Sequence, residues 1–113
     1  MKRGTIILAK FPFTDLTSAK RRPGIVVSAN INHTDDVIIA FISSVIPSEI
    51  GSMDYLITED HKDFTTTGLK KNSVIKLNKL ATVNLSVITG EIGTVSESTM
   101  QQVNKCLAKA LGL

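Results

Sequence analysis

Three consecutive cations, Lys20-Arg21-Arg22, precede Pro23, in a stretch that begins Phe11-Pro12-Phe13-Thr14-Asp15. Adjacent cations tolerate one another best around an anion. The planar arginine fork suits a phosphate and stabilises the extra charge of a pentacoordinate phosphoryl intermediate. Pro23 restricts Arg22 to an extended backbone, so Arg22 enters the following segment at a defined angle. Phe11 and Phe13 flank the loop, and an aromatic ring beside such a groove can stack on an unpaired base. The same pattern also suits a solvated basic loop tip whose phenylalanines belong to the core. A second constellation is Ile42-Ser43-Ser44, at the end of a strongly apolar run. Its hydroxyls can hydrogen-bond a phosphate oxygen or can simply end a strand.

Other chemistries find little support. His33 and His61 are far apart and lack partners at ligand spacing, so no metal site is expected. There is no glycine-rich phosphate loop and no nucleophile elbow. Either histidine suits a surface loop, or a general base if the fold brings it into a cleft. Cys106 is the single cysteine, which excludes an intramolecular disulfide; it reads as a small core or helix-face residue.

The elements that must position these residues come from a short chain. Its 113 residues suit one domain, 1–113, and one core. Hydrophobic residues make up 42% and charged residues 20%, a globular rather than disordered balance. No apolar run approaches the roughly 18 residues of a membrane span, and the first is too short for a signal segment, so a soluble cytoplasmic protein is expected. The net charge of +3 hides a segregation: residues 1–34 are net +5, 35–63 net −6 and 64–113 net +4. Such separation creates a local field on a nearly neutral molecule, although solvated faces with scattered ion pairs read the same way.

Along the chain the pattern is β-rich. Strands are expected over Thr5–Phe11, Gly24–Ala29, Val37–Ser43, Asp54–Ile57 and Ser73–Leu77, with Lys79–Val83 extending or restarting the fifth. The continuous apolar run after Gly24 predicts burial on both faces. A last strand lies in Val87–Val95, with Gly90 and Gly93 marking a bend or bulge. Pro12–Arg22, Asn30–Asp35 and Ser44–Met53 read as loops or turns. The period then changes. Ser96 is a good N-cap, Glu97 sits in the first turn, and Met100, Val103, Leu107 and Ala110/Leu111 share one helical face. A small curled barrel closed by this helix hides strand edges.

These residues resemble the MazF/PemK-type toxins. Lys2-Arg3-Gly4-Thr5-Ile6-Ile7-Leu8 looks like their opening, with Thr5 in place of the usual aspartate. Phe11 to Asp15 and Lys20 to Ser28 are similar to their signature loop and second strand. Ile38 to Ser43 resembles the third strand, Gly68-Leu69-Lys70-Lys71-Asn72-Ser73-Val74-Ile75 a later segment, and Ile92-Gly93-Thr94-Val95 the ending. The resemblance covers nearly the whole chain. It implies an SH3-like, partly open antiparallel β-barrel with an amphipathic C-terminal helix, and a homodimer. It implies a toxin of a type II toxin–antitoxin pair, held inactive by a cognate antitoxin whose acidic tail covers the active groove and through which alone it meets DNA. The implied activity is metal-independent, cofactor-free cleavage of single-stranded RNA. The 2′-OH attacks the adjacent phosphorus to give a 2′,3′-cyclic phosphate and a free 5′-OH. By this resemblance Arg22 and Ser43 are catalytic, and Phe13, Thr14, Lys20, Arg21, Ser44 and Lys79 contact RNA. Arg22 would act on the phosphate as acid or as charge stabiliser, with electrostatic stabilisation its main role, because a side chain that stays protonated is a poor general base. Ser43 stands where the family carries threonine, and Lys79 where better-known members carry glutamine.

Two other readings follow from the same residues. One is a gyrase inhibitor like CcdB, which uses a tryptophan near the end of its C-terminal helix; this chain has no tryptophan. The other is a non-catalytic module that acts only with its antitoxin, motivated by the departures at Ser43 and Lys79.

Overall fold

The computed structural model describes residues 1–10, 21–29 and 34–113. The expectations for Phe11, Phe13, Thr14, Lys20 and His33 fall outside these residues.

Six strands form one antiparallel sheet: β1 (Thr5–Ala9), β2 (Arg22–Val26), β3 (Asp36–Ser43), β4 (Asp54–Ile57), β5 (Ser73–Asn84) and β6 (Ile88–Thr94). The order across the sheet is β4-β5-β3-β2-β1-β6, so β4 and β6 lie at opposite ends and the sheet does not close. This is the expected mainly β architecture, open rather than sealed. A helix, α2 (Glu97–Leu111), packs on one face. A four-residue turn of helix, α1 (Phe64–Thr67), lies against β6.

The sheet is apolar on both sides, which is why the central strands read as continuous hydrophobic runs. In β1 and β2, Ile6 and Ile25 face the helix side while Ile7 and Val26 face the other. All four are fully buried. Each contributes roughly 2–3 kcal/mol relative to exposure, as an upper estimate. β2 begins two residues earlier than expected because Arg22 and Pro23 pair with Ala9 and Leu8.

β5 serves both faces. Ile42 pairs with Ile75 and Phe41 with Lys76, but Ala40 pairs with Leu80, which leaves Leu77, Asn78 and Lys79 as a bulge. Three extra residues invert the side-chain alternation. Ile75 and Leu77 therefore belong to the helix-side core, whereas Ala81 and Val83 pack on the opposite one. In β6 two one-residue shifts against β1 fall beside Gly90 and Gly93, the expected irregularities.

α2 starts at Ser96, whose side chain accepts from the Thr99 N–H, and ends at Gly112 in the left-handed region. Met100 and Val103 are buried, with Cys106, Leu107 and Ala110 partly buried against the same core. Leu111, expected on this face, is 56% exposed. Ala110, three residues on from Leu107, takes the last place on the packed face. Asp63 fixes the start of α2: its carboxylate accepts from the Ser96 N–H at 2.9 Å and the Ser96 hydroxyl at 2.8 Å. Among the described residues, every buried side-chain nitrogen and oxygen has a hydrogen-bond partner. No helix among them is long and apolar enough to cross a membrane.

Candidate nucleic-acid cleavage site

The β2–β3 register builds the site. Gly24 pairs with Phe41, Ile25 with Ala40 and Val26 with Ile39; Arg22 and Ser43, each two residues beyond Gly24 and Phe41 on the same alternation, both line one cavity. Cross-strand partners present their side chains on the same face, about 5 Å apart at Cβ. That face is the one opposite α2, since Val26 and Ile39 of the same alternation belong to the second core.

A cavity of about 560 Å³ opens there, within the usual size of a small-molecule site. Arg22, Pro23 and Phe41 form one side, with Ser43, Ser44 and Val45 at the end of β3. Leu69, Lys70, Lys71 and Ser73 close it from the segment entering β5. Among the described residues its charged lining is basic: Arg22, Lys70 and Lys71. The Ser43 hydroxyl oxygen accepts from the Val45 N–H at 3.0 Å, which orients it and leaves its own proton to donate. Three serine hydroxyls, three cations and an aromatic wall suit a phosphate attached to a ring.

The fold therefore brings together Arg22, Ser43 and Ser44. Lys79 lies in the β5 bulge, outside the lining, with its ammonium 5.7 Å from the centre of the Phe41 ring. Arg21 is exposed and reaches the other way, donating to Thr89 Oγ1 at 3.3 Å on β6. Lys70 and Lys71 were not singled out by sequence. Their only signal was position, two residues after the turn glycine Gly68 and two before β5.

The remaining reactive groups lie elsewhere. His61 is partly buried: its Nδ1 accepts from the Asp63 N–H at 3.0 Å, so the neutral ring carries its proton on Nε2, 2.8 Å from the Tyr55 hydroxyl. That histidine holds the turn before α1. Burial and, secondarily, Asp54 push the Cys106 thiol up, which leaves it protonated and unreactive near neutrality. Among the described residues, no three His, Cys, Asp or Glu side chains come together as a metal cluster would require.

Residues 2–111 match the family described as PemK-like, MazF-like toxin of type II toxin–antitoxin system. No curated protein matches the chain in sequence. Solved structures do match in fold. An endoribonuclease in complex with its cognate antitoxin, from a mycobacterial species, is 20% identical with a TM-score of 0.77; the match covers 100% of this chain and 96% of that one. The Mycobacterium tuberculosis toxin MazF-mt6 is 17% identical with a TM-score of 0.75, over 96% and 97% of the two chains. MazF from the MazE–MazF structure of Deinococcus radiodurans is 14% identical with a TM-score of 0.74, over 100% and 96%. With the family match spanning all but the ends of the sequence, the chain belongs to the PemK-like, MazF-like toxins of type II toxin–antitoxin systems.

Proposed function

We propose that this protein is an endoribonuclease that cleaves single-stranded RNA through the 2′-OH of its own substrate. The observation that carries the reading is that Arg22 and Ser43 line one cavity whose charged lining, among the described residues, is basic. With the scissile phosphate between them, the Ser43 hydroxyl donates to one non-bridging oxygen and the Arg22 guanidinium to another. The 2′-oxygen attacks phosphorus, the bond to the 5′-oxygen breaks, and the 2′-OH proton is lost as the 5′-oxygen gains one. Charge on the phosphoryl oxygens peaks in between, which is where a fixed guanidinium stabilises most. The nucleophile comes from the RNA, so the step requires neither a metal ion nor a cofactor.

The partners follow from the same surface. An antitoxin with an acidic tail would occupy the cavity and shut out RNA; a mycobacterial relative and the Deinococcus one were each solved with an antitoxin. DNA contact comes only through that antitoxin. A homodimer extends a groove that one cavity of this size cannot supply for several nucleotides. Arg21 and Lys79 lie outside the cavity and act on RNA beyond the scissile nucleotide; the loop residues Phe13, Thr14 and Lys20 are proposed as further RNA contacts.

The test is cleavage of RNA by purified protein in EDTA, with the new ends mapped. Wild type should leave 2′,3′-cyclic phosphate and 5′-OH ends. Arg22→Ala should lose about 10²–10³ in rate, the usual loss for one charge-stabilising donor. Cleavage by Arg22→Ala at the wild-type rate, or no cleavage by wild type, sinks the proposal.

A further inference from the structure

We infer that Lys70 and Lys71 form a second anion subsite, which holds the RNA phosphate adjacent to the scissile one. The inference rests on the endoribonuclease reading of the same cavity. It starts from how the segment carrying these lysines is held. On its N-terminal side, Gly68 ends α1 with φ 73°, and a Cβ there would lie 2.1 Å from the Ile92 carbonyl oxygen of β6. The Thr67 hydroxyl donates to the Phe64 carbonyl at 2.6 Å and accepts from the Leu69 N–H at 3.2 Å. On the C-terminal side, the Ser73 hydroxyl donates to the Lys71 carbonyl at 2.8 Å, and Asn72 Oδ1 accepts from the Glu59 N–H at 2.8 Å. Backbone on both sides of the two lysines is thus pinned by packing and by hydrogen bonds. The lysines are exposed, yet their chain is fixed at the cavity wall.

Position separates this strap from the Arg22–Ser43 pair. Arg22 and Ser43 lie on β2 and β3, whereas the strap enters from beyond β3, where Ser43 pairs with Val74. Phe41 and Leu69 provide apolar wall within the same cavity. A single strand presents one phosphate per nucleotide with an apolar ring face between, and the cavity presents cations with apolar wall among them. With one phosphate at Arg22 and Ser43, the neighbouring one falls to Lys70 and Lys71. Ammonium groups suit this task, being point charges that hold a phosphate without the bidentate geometry needed at the reacting centre.

The experiment measures binding of short RNA carrying a 2′-deoxy sugar at the cleavage position, so affinity is read without turnover. The probes are this oligonucleotide and versions with a neutral methylphosphonate in place of the phosphate on either side of the scissile one. Lys70→Gln/Lys71→Gln should bind the parent about ten- to hundredfold more weakly, the effect of losing a charge-assisted contact. Its log K against log salt slope should shrink by about 0.7 per phosphate released. One of the two methylphosphonates should weaken wild type by a similar factor and add nothing in the double variant, as expected when both changes remove one interaction. Lys105→Gln on α2 serves as the charge control, and its affinity should equal that of wild type. Equal affinity of wild type and double variant, or full additivity with both methylphosphonates, overturns the subsite and leaves the endoribonuclease reading standing. Wild-type binding that shows the cycle without any RNA cleavage leaves the subsite standing and overturns catalysis. No binding of RNA by wild type overturns both.

Discussion

Gly93→Ala should unfold the seam between α1 and β6, and its cost follows from three distances. A Cβ at Gly93 would lie 2.2 Å from the Thr66 carbonyl oxygen, 2.3 Å from the Thr67 carbonyl carbon and 2.4 Å from the Thr67 carbonyl oxygen. Ordinary contacts need roughly 3.5 Å, so α1 must retreat by about 1 Å, and every obstructing atom is backbone. Overpacking that a side-chain rotation cannot relieve belongs at the upper end of the usual range, about 3 kcal/mol. For a domain of this size that is a fall in Tm of about 10–15 °C. The matched control lies three residues away on the same strand. Among the described residues, chain neighbours aside, no atom lies within 4 Å of the would-be Cβ of Gly90, and its φ is not positive. Gly90→Ala should therefore be neutral or gain about 0.5 kcal/mol from the unfolded chain's lost freedom. Thermal and urea unfolding followed by circular dichroism compare the three proteins. A Gly93→Ala protein within 1 kcal/mol of wild type would refute the claim that α1 is seated on β6 by direct backbone contact.

Three further outcomes are expected. Arg22→Lys keeps the charge but loses the planar fork, so RNA cleavage should fall at least tenfold, and recovery of the wild-type rate would show that charge alone suffices. Ser43→Ala should cost about ten- to hundredfold in cleavage, while Ser43→Thr, which retains the hydroxyl, should keep most of the rate; the reverse order would exclude the hydroxyl as the active group. At Asp63, burial opposes ionisation, but hydrogen bonds from Thr99 and Ser96 outweigh it and hold the carboxyl below the usual carboxylate range. A lowered folded pKa contributes stability that is complete above the unfolded value of about 4 and is lost as pH falls through the folded value. Asp63→Asn should therefore lower urea stability at pH 7 and flatten its decline into acid, and a stability gap that stays constant down to pH 2 would contradict this.

Much of the arrangement was legible because alternation and capping are local. Ser96 and Gly112 end the helix where their chemistry says they should, and the run after Gly24 is buried on both faces as its lack of polar residues requires. Arg22 before Pro23 and Ser43 at a strand end were recognisable one by one from their residue types; the antiparallel pairing of β2 with β3 is what brings them to one cavity. What escaped was non-local. α1 is one turn long, too short for any periodicity, and owes its place to Gly68 lying against Ile92 of β6 and to Gly93 of β6 lying against Thr66 and Thr67. Lys70 and Lys71 stood out only as part of a family-like segment, because nothing in their neighbourhood announces that β3 ends beside them. The β5 bulge at Leu77–Lys79 was readable as a break between two strand-like runs, but not as the device that passes one strand from one core to the other.

The strand order also sets when the protein can become whole. β1 sits between β2 and β6, with Thr5 paired to Thr94 and Ile6 to Gly93. The first strand of this sheet thus completes its hydrogen bonds only with the sheet's last strand in sequence. Pairings so distant in sequence fold slowly, after the loop-closure entropy has been met. During synthesis one edge of β1 stays open until residues 88–94 have left the ribosome, and α2 follows later still. A ribosome translating this message carries an unfinished sheet until β6 has emerged, so the Arg22–Ser43 arrangement gains a stable scaffold only after β6 and α2 are free to pack.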